Sequence, residues 1–229
     1  ELDESHLRDL AEQRGVAVDP EDERWRYRAA AAGVDLALGR LLAGLKERGL
    51  DRKTVVLVVS DHGEALGQSD HLRHAVYLWD SLIHVPLMLR APGLAPHDVD
   101  VPVGHVDIAP TLARYLDPQA DVGGYHGSDL LHHTLGRPVP GALPILLLSM
   151  RKDELLRVGL VSREEPYHKL VLPLDSVEPE LHDVDLPQPD DVDLARERSR
   201  VTLGMISSLV TSPVFPRPES PVEQASAAP

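Results

Sequence analysis

Asp61 and His62 are the adjacent residues best equipped for chemistry, in the string Ser60-Asp61-His62-Gly63-Glu64. Aspartate supplies a hard anionic oxygen and neutral histidine an imidazole nitrogen, a usual donor pair for zinc, manganese or calcium-type ions. Neighbouring residues cannot share one face of a regular strand. In a turn just past a strand both can reach one point, and Gly63 lets the backbone make such a turn. Asp-His-Gly by itself is a common turn triplet, so its meaning depends on context. Other polar residues carry blander expectations. Asp107 reads as a helix cap rather than a catalytic acid, and His105 as a strand-end packing residue. His126, His132 and His133 lie in a Gly-containing loop that could bind a metal adventitiously. Glu64 could support a ligand from behind or simply be solvated.

The surrounding elements place the pair. From about Glu23 to Arg48 there is no proline, and Val34, Leu38, Leu41, Leu42 and Leu45 recur at helical spacing. Gly49 is a C-terminal stop. The run Thr54-Val55-Val56-Leu57-Val58-Val59 is apolar on both faces, the pattern of a central strand in a layered α/β sheet. Asp61 and His62 follow directly, and open α/β sheets put ligand sites at the carboxyl ends of their strands. A second strand is expected from His84 to Leu89, ended by Pro92-Gly93. A helix is expected from Asp107 to about Leu116, with Pro110 tolerated in its first turn. Residues 117–142 read as loop. Strand signals at Pro144–Leu148, Leu155–Val161 and His168–Leu172, with no long helix between them, suggest an antiparallel addition. An amphipathic helix is expected from about Val192 to Val210. The expected organisation is a partial α/β domain over 1–142, a small α+β subdomain over 143–211, and a disordered Pro/Ser/Ala-rich tail over 212–229.

Composition removes several classes of function. The 229 residues carry a formal charge of −14 with no basic cluster, so a nucleic-acid footprint is not expected. Hydrophobic residues are 42% but aromatics only 3%, leaving Leu, Val and Ala to fill the core. Without cysteine, disulfides and thiolate metal sites are excluded. No apolar run approaches the roughly 18 residues of a membrane span. The chain begins Glu1-Leu2-Asp3-Glu4, with no initiator Met and no signal-peptide pattern, which suggests a fragment or a processed product.

The order of segments resembles the C-terminal half of the sulfatases, in the alkaline-phosphatase superfamily, and of the related phosphoglycerol transferases and phosphonate monoester hydrolases. The resemblance covers roughly residues 20–200. It rests on Ser60-Asp61-His62-Gly63-Glu64, His84-Val85-Pro86-Leu87-Met88-Leu89, Pro92-Gly93, and Val106-Asp107-Ile108-Ala109-Pro110-Thr111-Leu112. His168-Lys169-Leu170 and Glu180-Leu181-His182-Asp183-Val184 resemble strands of the family's small C-terminal sheet. Gly127-Ser128-Asp129-Leu130 resembles an architectural segment. The implied fold is part of a three-layer α/β/α sheet domain followed by a small antiparallel sheet with a helix.

The resemblance implies that Asp61 and His62 bind a catalytic divalent ion. Calcium is implied for a sulfatase, and zinc or manganese for a phospho-transferase or phosphonate hydrolase. His74 stands where the family has a His or Lys near the substrate's anionic oxygens or leaving group, with His71 as the nearby alternative. Gly67-Gln68-Ser69-Asp70 departs from the family's frequent Gly-Glu-His-Gly. His84 replaces a usual Arg, in a structural or supporting place. The implied substrate is a small anionic ester, of sulfate or phosphate, and the implied compartment is the periplasm or cell surface. The family's nucleophile frame, Cys/Ser-x-Pro-x-Arg, does not occur in these residues. Nor does the early strand ending in paired acidic ligands. The expectation is therefore an inactive isolated chain that needs the enzyme's N-terminal half. The alternative is a non-catalytic remnant or binding module.

Overall fold

The computed structural model describes residues 4–13, 19, 22–66, 76–131, 143–151, 154–176 and 178–212. It divides into two compact units, Glu1–His74 with His84–Leu94, and Ala75–Ile83 with Ala95–Pro229.

The first unit holds helices α1 (Glu4–Gln13) and α2 (Glu23–Glu47) and strands β1 (Val56–Val59) and β2 (Leu87–Arg90). Asp22 starts α2 by accepting the Arg24 N–H at 3.0 Å, satisfying one of the helix's orphan donors. Gly49, at φ +65°, ends it. Leu50 N–H then returns to Leu45 O at 2.9 Å and Gly49 N–H to Lys46 O at 3.0 Å, the left-handed termination that favours glycine. The helix bounds match the periodicity. Strand β1 is shorter than the β-branched run and pairs antiparallel with β2, Val56 opposite Arg90 and Val59 opposite Leu87. Its residues are half-buried to exposed rather than buried on both faces. Among the described residues β2 is its one sheet partner. Strand β2 starts later than expected because Pro86 has no N–H to donate to the ladder.

The second unit holds α3 (Asp80–Ile83), α4 (Ile108–Leu116), strands β3 (Ile145–Arg151), β4 (Glu154–Val161), β5 (His168–Pro173) and β6 (Glu180–Asp183), and α5 (Ser199–Thr211). The strands form an antiparallel sheet in the order β3-β4-β5-β6, as the strand signals suggest. Register puts Leu146, Leu160, Leu170 and Leu181 opposite one another across all four strands. With Val158, Met205 and Leu209 of α5 they build the main core. Leu170, Leu181 and Leu209 are fully buried. The next row along the sheet, Leu147, Gly159, Val171 and Glu180, alternates to the opposite face. There the segment before α3 packs, with Leu78 so near Gly159 that a Cβ would lie 2.9 Å from its Cδ1.

Helix α5 starts seven residues later than the apolar pattern suggests. The Asp193 carboxylate accepts the N–H groups of Leu181 at 3.0 Å and Ala195 at 2.9 Å. Leu194 N–H donates to Leu181 O at 2.7 Å. These bonds tie 193–195 to β6 and offer the backbone an alternative to helix.

Asp107 occupies the N-cap position of α4 as expected, but its carboxylate is used elsewhere. Its buried side chain makes no capping bond to α4. It accepts Gly104 N–H at 2.8 Å, Ser128 N–H at 2.7 Å and Arg163 Nη2 at 2.8 Å from both oxygens. Thr111 Oγ1 donates to Asp107 O at 2.6 Å and accepts Leu130 N–H at 2.9 Å. The string 106–112 thus binds the segment 127–130 through two side chains. Gly127 permits this, since a Cβ there would sit 2.0 Å from Val106 O.

Two stability outcomes follow. Gly127→Ala must move backbone, and urea denaturation should show a loss of about 1–3 kcal/mol, the usual cost of overpacking. Arg163→Met leaves the fully buried Asp107 without its cation and should cost about 3 kcal/mol. A wild-type melting curve for either variant would contradict the packing described.

Candidate metal centre

Strand β1 delivers Asp61 and His62 into a turn immediately past Ser60. Ser60 N–H still reaches Pro86 O at 3.3 Å, so the two-strand pair extends to the edge of the site. The turn is closed locally. Ser60 Oγ donates to His62 O at 2.8 Å, and Asp61 Oδ1 accepts His62 N–H at 2.9 Å. His62 Nδ1 lies 2.8 Å from Gly63 O. A carbonyl can only accept, so this contact puts the proton on Nδ1 and the lone pair on Nε2. Nε2 lies 3.8 Å from Asp61 Oδ2. The turn therefore aims one imidazole nitrogen and one carboxylate oxygen at a common region. The Asp61 side chain is 88% exposed and that of His62 47%, so an ion from solvent can reach both.

This donor set fits a divalent ion. A histidine ligand usually fixes its tautomer by giving the other ring N–H to a carbonyl or carboxylate, as Gly63 O does here. The set is incomplete, because catalytic sites typically use three protein ligands. Among the described residues no cluster of three or more His, Asp or Glu is arranged to hold an ion.

The other candidates fall elsewhere or nowhere describable. His74 and its alternative His71 lie outside the described residues, as do His132, His133 and the departing loop 67–70. His84 is exposed just before β2, and His126 is exposed in the loop after α4. His105 is exposed in a 3₁₀ turn (His105–Asp107) and is not the strand-end packing residue expected. Glu64 is half-buried beside the fully buried Ala65.

A second polar cluster escaped the sequence. Lys169 on β5 is 1% exposed, and its Nζ donates to Asp80 Oδ1 at 2.7 Å and to Asp190 Oδ1. Asp190 Oδ2 accepts Asp80 N–H at 2.6 Å. The lysine sits in a recognisable strand string, but no local pattern connects residues 89 and 21 positions away.

Comparison with known proteins brings a family to this geometry. Residues 7–118 match the family model described as Sulfatase. Arylsulfatase K of Danio rerio is 36% identical over 106 residues, which is 46% of this chain and 20% of that protein. An endo-4-O-sulfatase of Bacteroides thetaiotaomicron is 37% identical over 89 residues, 38% of this chain and 17% of the relative. These alignments thus span about a fifth of the curated relatives' length. Among solved structures, the phosphonate monoester hydrolase from Silicibacter pomeroyi superposes with a TM-score of 0.64 at 26% identity, over 84% of this chain and 43% of that one. A 2-O GAG sulfatase gives 0.63 at 21% identity over 77% and 39%, a likeness of fold alone.

The tautomer is directly checkable. Nitrogen-15 NMR of the neutral His62 ring should show a protonated Nδ1 and an unprotonated Nε2. The opposite tautomer would remove the nitrogen donor from the site.

Proposed function

We propose that the chain, whose residues 7–118 match the Sulfatase family model, forms the C-terminal portion of a metal-dependent hydrolase of sulfate esters. The observation that carries this reading is the Asp61–His62 pair in its turn past β1, inside the matched segment. Asp61 Oδ2 and His62 Nε2 hold a divalent ion, alongside ligands from outside the described residues. When bound, such an ion offsets charge on the ester oxygens and favours attack at sulfur or phosphorus. The Gly63 carbonyl holds the His62 ring in the ligating tautomer. Asp61 Oδ1, through His62 N–H, fixes the spacing of the two ligands. His74 donates a proton to the leaving oxygen, or His71 does.

No Cys/Ser-x-Pro-x-Arg string occurs in the sequence, and in this reading the nucleophile is supplied by a segment other than these 229 residues. This agrees with a chain that covers 43% of the phosphonate hydrolase structure.

One observation favours a second reading. The Silicibacter pomeroyi structure matches at 26% identity and is a phosphonate monoester hydrolase. Sulfate and phosphonate esters present similar tetrahedral centres, so the pair could serve either. Calcium accompanies the sulfatase reading, zinc or manganese the phosphonate one.

The test uses an aryl sulfate and an aryl phosphonate monoester, with and without a chelator. The chain alone should turn over neither. Joined to a segment carrying the nucleophile, it should hydrolyse the sulfate faster, and chelation should abolish the rate. Faster phosphonate cleavage would select the second reading. Chelator-resistant hydrolysis would remove both.

A further inference from the structure

One side of helix α2 carries a row of apolar side chains that the metal centre does not use and the core does not cover. Tyr27, Ala31, Val34, Leu38, Leu41 and Leu45 follow one another at intervals of four and three. That alternation keeps a residue on one side of a helix at every turn, the spacing by which a helix seats against another apolar surface. The row runs about 27 Å along α2. Val34 is 64% exposed, Leu41 54% and Tyr27 46%. Ala31 is exposed, and Leu38 and Leu45 are half-buried. The buried residues of the helix are Trp25 and Gly33, which lie on its other side. Single exposed apolar residues are ordinary on a protein surface. A continuous row marks an interaction face, and a helix apolar on both sides is normally covered on both.

Charge narrows the occupant. Arg24 and Arg48 continue the same spacing, one beyond each end of the row. A second α2 laid parallel and in register would set each arginine against its own copy. Laid antiparallel, it would set Arg24 against Arg48. Either pairing brings like charges together at both ends, which acts against a second copy of this helix. The fitting surface is apolar along its centre and acidic at its borders. Ala30, Ala37 and Gly44 run beside the row and let that surface approach closely.

The length of the relatives supplies a source for it. This chain covers 43% of the phosphonate monoester hydrolase on which it superposes, so more than half of that chain has no counterpart here. The compact unit that contains α2 also presents Asp61 and His62, where the proposed metal centre already takes ligands from elsewhere.

We propose that the row from Tyr27 to Leu45 is a docking face for the remaining, N-terminal portion of the same hydrolase, which lays an apolar surface with acidic borders along α2. This rests on reading the chain as the C-terminal portion of that enzyme.

The 229 residues contain no cysteine, so a single introduced thiol reports the face. Val34→Cys probes the row, and Ala43→Cys, exposed on the opposite side of α2, is the control. Each is made in this chain and in the protein extended by its upstream reading frame. Maleimide labelling is quantified at each position by peptide mass spectrometry. In the chain alone both positions should react fast at every protein concentration. In the extended protein position 34 should react severalfold more slowly, while position 43 stays fast. Slow labelling of position 34 in the chain alone, relieved by dilution, would give the face to a second copy and overturn the proposal. Fast labelling of position 34 in the extended protein would overturn it too, and a reading frame that starts at residue 1 would overturn it together with the proposed function. Ester hydrolysis reads the catalytic proposal separately. An extended protein that protects position 34 and cleaves neither ester would uphold the docking face and sink the catalytic reading.

Discussion

The C-terminal unit is organised around an ammonium group that water hardly reaches. Lys169 points into the face of the sheet opposite α5 and is 1% exposed. An unpaired charge there would be costly. Two carboxylates offset that cost, and each comes from a different stretch of chain. Asp80 brings the segment preceding and including α3 onto the sheet, and Asp190 brings the strap between β6 and α5. The direct Asp190–Asp80 N–H bond closes the triangle. Because each acid keeps about a fifth of its side chain exposed, both stay solvated while the lysine does not. Such a pairing contributes less to net stability than to fixing one arrangement among several.

A similar device works beside α4. Asp107 is fully buried and takes one donor each from Gly104, Ser128 and Arg163. The string containing Asp107 and Thr111 and the segment containing Gly127 and Ser128 lie apart in sequence. They form one object because a carboxylate and a hydroxyl in the first receive backbone N–H groups of the second. In both places a buried polar group converts distant sequence into a fixed neighbourhood. The turn that carries Asp61 and His62 is different. Asp61 and His62 are exposed, and their geometry is set within four residues by bonds from Ser60 to His62 and from His62 to Gly63. A turn built this locally presents its two side chains without depending on a buried network.

That contrast explains what could be read from the chain. Helix α2, its Gly49 stop and the first three strands of the antiparallel sheet follow from periodicity and turn residues, which are local, whereas β6 was expected only from the resemblance to the family. The turn past β1 that carries Asp61 and His62 was legible for the same reason. The roles of Asp107, Lys169 and Arg163 were not, because each depends on partners tens of residues away. Asp107 looked like a cap because a cap needs only an acid before a helix. The start of α5 was misjudged because Asp193 spends its oxygens on Leu181 and Ala195, a choice no helical periodicity records. His74 lies outside the described residues, so its role rests on resemblance to the family.

The central claim is that Asp61 and His62 hold a divalent ion, and paramagnetic broadening by Mn²⁺ measures it on the chain itself. On titration, NMR signals of Asp61, His62 and Gly63 should broaden first, recover on chelation, and stay sharp in the Asp61→Asn/His62→Gln double variant. Broadening centred on another part of the chain, or unchanged in the double variant, would contradict the account.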